Sequence, residues 1–120
     1  MPSRSSKHAV NVLIKIVVKK YKTEEFIECM HLYQAKILRQ TGCLSYDLYK
    51  DLDEENTYLL VGEWKTAQAM EKHFQTHEYE LILGAAKVLG DTFEMETTEV
   101  LHIGNHNWAR EQIRSRKNAG

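Results

Sequence analysis

Residues 42–79 read GCLSYDLYKDLDEENTYLLVGEWKTAQAMEKHFQTHEY, and the fold turns on this stretch. Gly42-Cys43 opens a run rich in aromatic and aliphatic residues, 44–50, and a second such run, 58–64, closes on Gly62-Glu63-Trp64-Lys65. The polar segment Asp51-Leu52-Asp53-Glu54-Glu55-Asn56-Thr57 separates them, so the pair predicts a β-hairpin with a solvated loop. A short helix containing Met70, His73 and Phe74 should start at Lys65 or Thr66. Two hairpin strands therefore feed a helix that presents an indole and an imidazole close together, an arrangement able to build an enclosed pocket.

Upstream, Val10, Val12, Ile14, Ile16 and Val18 share one parity within residues 8–19, which predicts a strand with one strictly apolar face. Its second face carries Asn11, Leu13, Lys15 and Val17, half apolar in its turn, so something should pack on both sides. Thr23 ahead of Glu24-Glu25 reads as an N-cap, and Phe26, Met30, Tyr33, Ile37 and Leu38 recur at helical spacing. That helix should end near Thr41-Gly42, where glycine can take the left-handed cap. Downstream, Thr76 is placed as the cap of a second short helix through Leu81, Leu83 and residues 86–89, broken by Gly90-Asp91. Phe93, Met95, Thr97, Leu101 and Ile103 then share one parity in a last strand.

The order strand, helix, strand, strand, helix, strand predicts an α+β, ferredoxin-like split βαβ fold with an antiparallel sheet. The helices can cover only one face of it. A two-fold partner packing sheet on sheet is the simplest closure for the other face, which predicts a homodimer.

A chain of 120 residues fits one domain, large enough to bury roughly two-thirds of the unfolded surface. We assign residues 8–104 to that domain, 1–7 to a mobile leader or processing remnant, and 105–120 to a C-terminal basic tail or arm. The tail holds Trp108, Arg110, Arg114, Arg116 and Lys117, and is expected as a frayed helix, an arm anchored by Trp108 on a partner, or a disordered end. Four basic residues without a recognition fold do not point to nucleic acid. Nor does a formal charge of -1, from 16 basic and 17 acidic residues, suggest a polyanion or membrane partner. The longest apolar run, 9–18, is interrupted by Asn11 and Lys15 and falls far short of the roughly 20 residues a membrane helix needs. It also lacks the small-residue cleavage site of a secretory signal. Cys29 and Cys43 are not in a Cys-x-x-Cys arrangement and read as reduced packing thiols of a cytoplasmic protein.

The succession of Gly42, Gly62-Glu63-Trp64 and an Ala69-Met70 helix bearing His73, Thr76 and His77 resembles the antibiotic biosynthesis monooxygenase (ABM) family, more weakly from about residue 10 to residue 102. The most specific element is Glu-Trp followed by His nine residues after the tryptophan. The resemblance implies a dimeric α+β barrel with one pocket per protomer between sheet and helices. In the haem-degrading branch of the superfamily the functional Asn, Trp and His fall on Ile14, His73 and Leu83, so that set is missing. The Asn of the anthrone-oxidising branch falls on Leu60 and its distal Arg has no match near Gly84, so only its Trp carries over. Where relatives show His and then Thr-Pro-His, this chain has Thr76-His77-Glu78, with Glu78 at the second histidine position. Quinol-type or uncharacterised members are the nearest fit.

Each candidate residue has a functional and a structural reading. Trp64 offers a large flat surface and one N–H donor to a bound aromatic, or is a core aromatic at a strand end. His73 is a base near its ordinary value of about 6.5, or a half-buried helix histidine bonded to a neighbour. Asn11 can hold a ligand carbonyl or an oxygen intermediate, or meet the edge of a dimer. Tyr46, Met70 and Phe74 complete the substrate-binding set with Trp64, although Tyr46, Tyr49 and Tyr58 are first of all sheet-face residues. Glu63, on the opposite face from Trp64 in a regular strand, suits a hinge or dimer contact. His73, His77 and Glu80 would share one face of a continuous helix, but a break at Thr76 argues against a metal site.

No phosphate loop, nucleophile elbow or dinucleotide fingerprint appears, so no cofactor is expected. The leading reading is a cofactor-independent monooxygenase that oxidises a small electron-rich, quinol-like aromatic with molecular oxygen. Trp64 would stack on it, His73 act as base or orienting donor, and Asn11 hold an oxygen. The alternative is a ligand-binding or small-molecule isomerising module on the same dimeric fold. A purely structural dimer would leave the Trp64 and His73 pairing without purpose.

Overall fold

The computed structural model describes residues 8–119, with side chains through residue 113. The leader assigned to residues 1–7 lies outside the described residues, as do the side chains of Arg114, Arg116 and Lys117. The elements run β1 (Val10–Val18), α1 (Thr23–Ile37), β2 (Cys43–Lys50), β3 (Thr57–Trp64), α2 (Ala67–Phe74), α3 (His77–Leu89), β4 (Gly90–Glu99) and α4 (His106–Ala119). The strands form one antiparallel sheet in the order β2-β3-β1-β4, the ferredoxin-like arrangement anticipated from the element order.

Strand β1 is rich in β-branched residues and occupies the sheet interior, paired on one side with β3 and on the other with β4. Its Val10, Val12, Ile14, Ile16 and Val18 are buried and join one core with Phe26, Met30 and Ile37 of α1 and Ile82, Ala86 and Leu89 of α3. The β2–β3 loop is closed by Asp51, whose carboxylate oxygen accepts the backbone N–H groups of Asp53 and Glu54, both at 2.8 Å. Asn56 supplies the left-handed residue, φ 59°.

Three boundaries differ from the sequence reading. Lys22, not Thr23, is the N-cap of α1, and no side chain caps that helix. The same helix ends at Ile37 rather than near Gly42, because Arg39 and Gln40 donate to carbonyls only three residues back, Lys36 and Ile37. Gly42 is left-handed as expected, φ 84°, but it closes this turn and not the helix. Finally, β4 stops at Glu99, which pairs with Val10, the first residue of β1. Beyond Ala9, which still accepts from the Val100 N–H, no further pairing to β4 is found among the described residues, and Leu101 and Ile103 lie 77 % exposed.

The tail forms helix α4, with Trp108 stacked on His102 of its own chain at 4.2 Å between ring centroids. Among the described residues, no helix is long and apolar enough to cross a membrane.

The Gly42 carbonyl also accepts the Lys65 N–H at 2.7 Å, and a Cβ built on Gly42 would stand 2.5 Å from the Cβ of Ala69 in α2. Both the φ angle and the space therefore exclude a side chain. Gly42→Ala should destabilise the fold by about 2 kcal/mol in urea unfolding. Gly84→Ala, in open space inside α3, should instead gain about 0.5–1 kcal/mol. Equal effects of the two substitutions would show that the turn does not need its glycine.

Candidate functional site

Strand β3 alternates, with Tyr58, Leu60, Gly62 and Trp64 facing the helices and Leu59, Val61 and Glu63 the open side. Trp64 is fully enclosed. Gly62 makes room for it: a Cβ there would stand 2.9 Å from the Tyr46 ring and 3.2 Å from Trp64 Nε1. Thr66 starts α2 by accepting the Ala69 N–H at 3.1 Å, and the helix then turns His73 inward until only 2 % of it is exposed.

The imidazole stacks on the Trp64 indole, 4.5 Å between centroids and 26° between planes. Tyr46 and Tyr79 meet it edge-on at 6.1 and 5.3 Å, and Phe74 is tilted against it at 5.8 Å. Thr76 makes this box possible. Its hydroxyl donates to the His73 carbonyl at 2.7 Å, closing α2, and accepts the Tyr79 N–H at 3.2 Å, opening α3. On a continuous helix Tyr79 would lie about 120° around the axis from His73; the restart brings it back over the ring.

Inside the box His73 Nδ1 lies 2.8 Å from Oε1 of Gln40. Burial pushes the imidazole down to about 4, against a weaker upward pull from the Glu78 carboxylate, so His73 is neutral near pH 7. The sequence placed it half-buried and titrating at its ordinary value; the inward turn of α2 makes the difference. Two donors beside it have no partner: the Tyr46 hydroxyl and Trp64 Nε1 are buried and unbonded. An unsatisfied buried donor costs about 1–3 kcal/mol, a cost that a bound acceptor would remove. The Tyr46 phenol is held well above its ordinary range, by burial first and then by Cys43 and Tyr79, so it remains a donor.

Of the residues singled out from sequence, Trp64, His73, Tyr46 and Phe74 come together. Met70 is half-buried against the core about one helical turn before His73. Asn11 does not join them. It pairs with Glu63 and Thr98, one residue out of phase with buried Val10 and Val12, and so lies on the opposite, open face of the sheet. Glu63 shares that face, as the strand parity required. His77 is separated from His73 by the helix break and stands 3.6 Å from Glu80 at the surface. Among the described residues, no three His, Cys, Asp or Glu side chains form a group that could hold a metal ion. Sequence reasoning missed Gln40 and gave Tyr79 no role. Gln40 carries no local signal, being 33 residues from His73, whereas a restart at Thr76 could have pointed to Tyr79.

A ferredoxin-like α+β domain with an aromatic box around a neutral imidazole is the class that fold and site define. Residues 9–83 match the family description antibiotic biosynthesis monooxygenase, and the chain belongs to that family. A protein of Synechocystis sp., "Uncharacterized protein sll1783", is 37 % identical over 67 residues, which are 53 % of this chain and 46 % of that protein. This chain thus spans about half the length of that relative. "Putative monooxygenase YcnE" of Bacillus subtilis is 35 % identical over 75 residues, 62 % of this chain and 78 % of that protein. Among solved structures, SnoaB from Streptomyces nogalater, a cofactor-independent oxygenase, superimposes with a TM-score of 0.72 at 19 % identity, covering 80 % of this chain and 96 % of that one. At that identity the likeness speaks to the fold.

The buried imidazole makes stability depend on pH. Because its folded value, about 4, lies below the unfolded value of about 6.5, the unfolded chain takes up the proton first as pH falls. The contribution of neutral His73 is therefore full above about pH 6.5 and is lost progressively toward pH 4, amounting to at most about 3 kcal/mol. Urea unfolding of the wild type and His73→Gln at intervals between pH 4 and 7 should show a steeper loss in the wild type. Parallel curves would remove the titration from His73.

Proposed function

We propose that the protein is a cofactor-independent monooxygenase that oxidises a small electron-rich aromatic of quinol type with molecular oxygen, working as a cytoplasmic homodimer. The observation that carries this reading is the pair of unbonded buried donors, Trp64 Nε1 and the Tyr46 hydroxyl, beside a neutral histidine. Two donors with no acceptor suit a ligand oxygen that gains negative charge, and in a dry site they stabilise that charge far more than water-exposed donors would. Phe74 and Tyr79 are the half-buried members of the box and would turn aside to admit the substrate.

In the proposed sequence a phenolic proton passes to the unprotonated nitrogen of His73 while Trp64 and Tyr46 hold the phenolate oxygen. The anion gives one electron to oxygen, and the resulting substrate radical and superoxide join in a C–O bond. The peroxide recovers the proton from the imidazolium and then loses water as the ring C–H is removed. One oxygen atom enters the ring, the other leaves as water, and a hydroquinone becomes a hydroxyquinone by a four-electron oxidation. A weakly basic imidazole suffices here because the donors lower the cost of the anion, and it returns the proton readily.

Purified protein should take up oxygen with some member of a panel of hydroquinones and anthrones; saturable binding without uptake would favour the ligand-binding alternative. His73→Ala should lower turnover by about 10²–10⁴, whereas Trp64→Phe, which keeps a ring but removes one of the two donors to the developing phenolate, should lower kcat by about 10²–10³ and leave the His73-dependent pH profile in place. Full turnover in His73→Ala would remove its role as base.

Dimerisation has separate support. The open sheet face carries half-buried Leu13, Val17, Leu59 and Val61, and the Asn11 side-chain oxygen there is buried without a partner, a gap that a second sheet with a suitable donor would close. Sedimentation at micromolar concentration should give a species of twice the 14.0 kDa chain. A concentration-independent monomer would sink the homodimer.

A further inference from the structure

We propose that Gln40 is a positioning residue that clamps His73 in the tautomer carrying its proton on Nδ1, leaving the lone pair of Nε2 for the proton transfer; the catalytic part of this inference rests on the monooxygenase reading. The direction of the Gln40 amide is keyed from its far end. Its Nε2 lies 3.4 Å from the Thr76 hydroxyl oxygen and 3.5 Å from a carboxylate oxygen of Glu78. A carboxylate can only accept. The Thr76 hydroxyl already spends its one proton on the His73 carbonyl, so toward Gln40 it too can only accept. Both neighbours therefore demand the amide NH₂, which turns Oε1 toward His73 Nδ1 at 2.8 Å, and an amide oxygen accepts only from a protonated nitrogen.

The clamp is assembled from the turn after α1, the junction of α2 and α3, and the first turn of α3. The early end of α1 gains a purpose in this arrangement, since the tight turn at residues 38–42 carries Gln40 to the ring. Titratable groups facing His73 are Tyr46 from β2 and Glu78 and Tyr79 from α3.

Nitrogen-15 NMR of the His73 ring at pH 7 tests the clamp independently of turnover. The wild type should show a protonated Nδ1 and an unprotonated Nε2. Gln40→Leu should mix the tautomers and lower kcat at least about tenfold with KM nearly unchanged. Gln40→Glu keeps an acceptor for Nδ1, so it should restore the single tautomer and, by adding a negative charge, move the His73 titration and the pH–rate profile upward. Should Gln40→Leu fail to fold, the wild type and Gln40→Glu still decide the matter. A wild-type ring protonated on Nε2, or Gln40→Leu with unchanged nitrogen shifts and pH profile, would overturn the proposal. Expected tautomers without oxygenation of any substrate would leave the clamp standing and overturn the monooxygenase reading instead.

Discussion

The two ladders of β1 constrain everything else in the molecule. The strand pairs along its length with β3 and β4, and five of its side chains enter the core from one parity. Burying each contributes about 1.5–3 kcal/mol, so turning the strand over by one residue would forfeit on the order of 10 kcal/mol, comparable with the whole stability of an ordinary domain. Register then propagates. Because Val10 faces Trp64 across the β1–β3 ladder, the parity that buries the valine also buries the indole, and the same choice leaves Glu63 and Asn11 on the open face.

That burial sets the conditions of the proposed chemistry and limits it. An imidazole driven between aromatic rings loses most of its basicity, yet the same dry surroundings leave two unbonded donors next to it. A core designed only for packing would avoid such donors or give them partners. The stacked Trp64–His73 pair also covers one face of the indole, so any aromatic ligand must approach it from the edge or from the other face. The box is therefore better suited to holding a charged oxygen through directed hydrogen bonds than to offering two flat walls.

Much of this was legible in the chain itself where the signal is local. The hairpin followed from two apolar runs flanking a polar loop, and Thr66 and Thr76 act as caps because a threonine oxygen needs only the backbone N–H three residues on. Less local features escaped. The end of α1 depends on a turn that packs Gly42 against Ala69, and the end of β4 depends on where β1 begins. Asn11 was grouped with Trp64 because each strand's parity can be read alone, whereas which parity of β3 matches which parity of β1 is a property of their pairing.

The sequence by itself determined the α+β order of elements, the apolar face of the first strand, the helix starts at Thr66 and Thr76 and the Glu63-Trp64 to His73 spacing of the ABM family, since each is written within a few turns or strands of chain. Only the tertiary structure decided that His73 is buried and neutral, that Tyr46 and Trp64 are left without partners, and that Gln40 holds the ring. Desolvation, orphaned donors and tautomer choice arise from groups that the fold brings together across 6, 18 or 33 residues, and no pattern along the chain measures those distances.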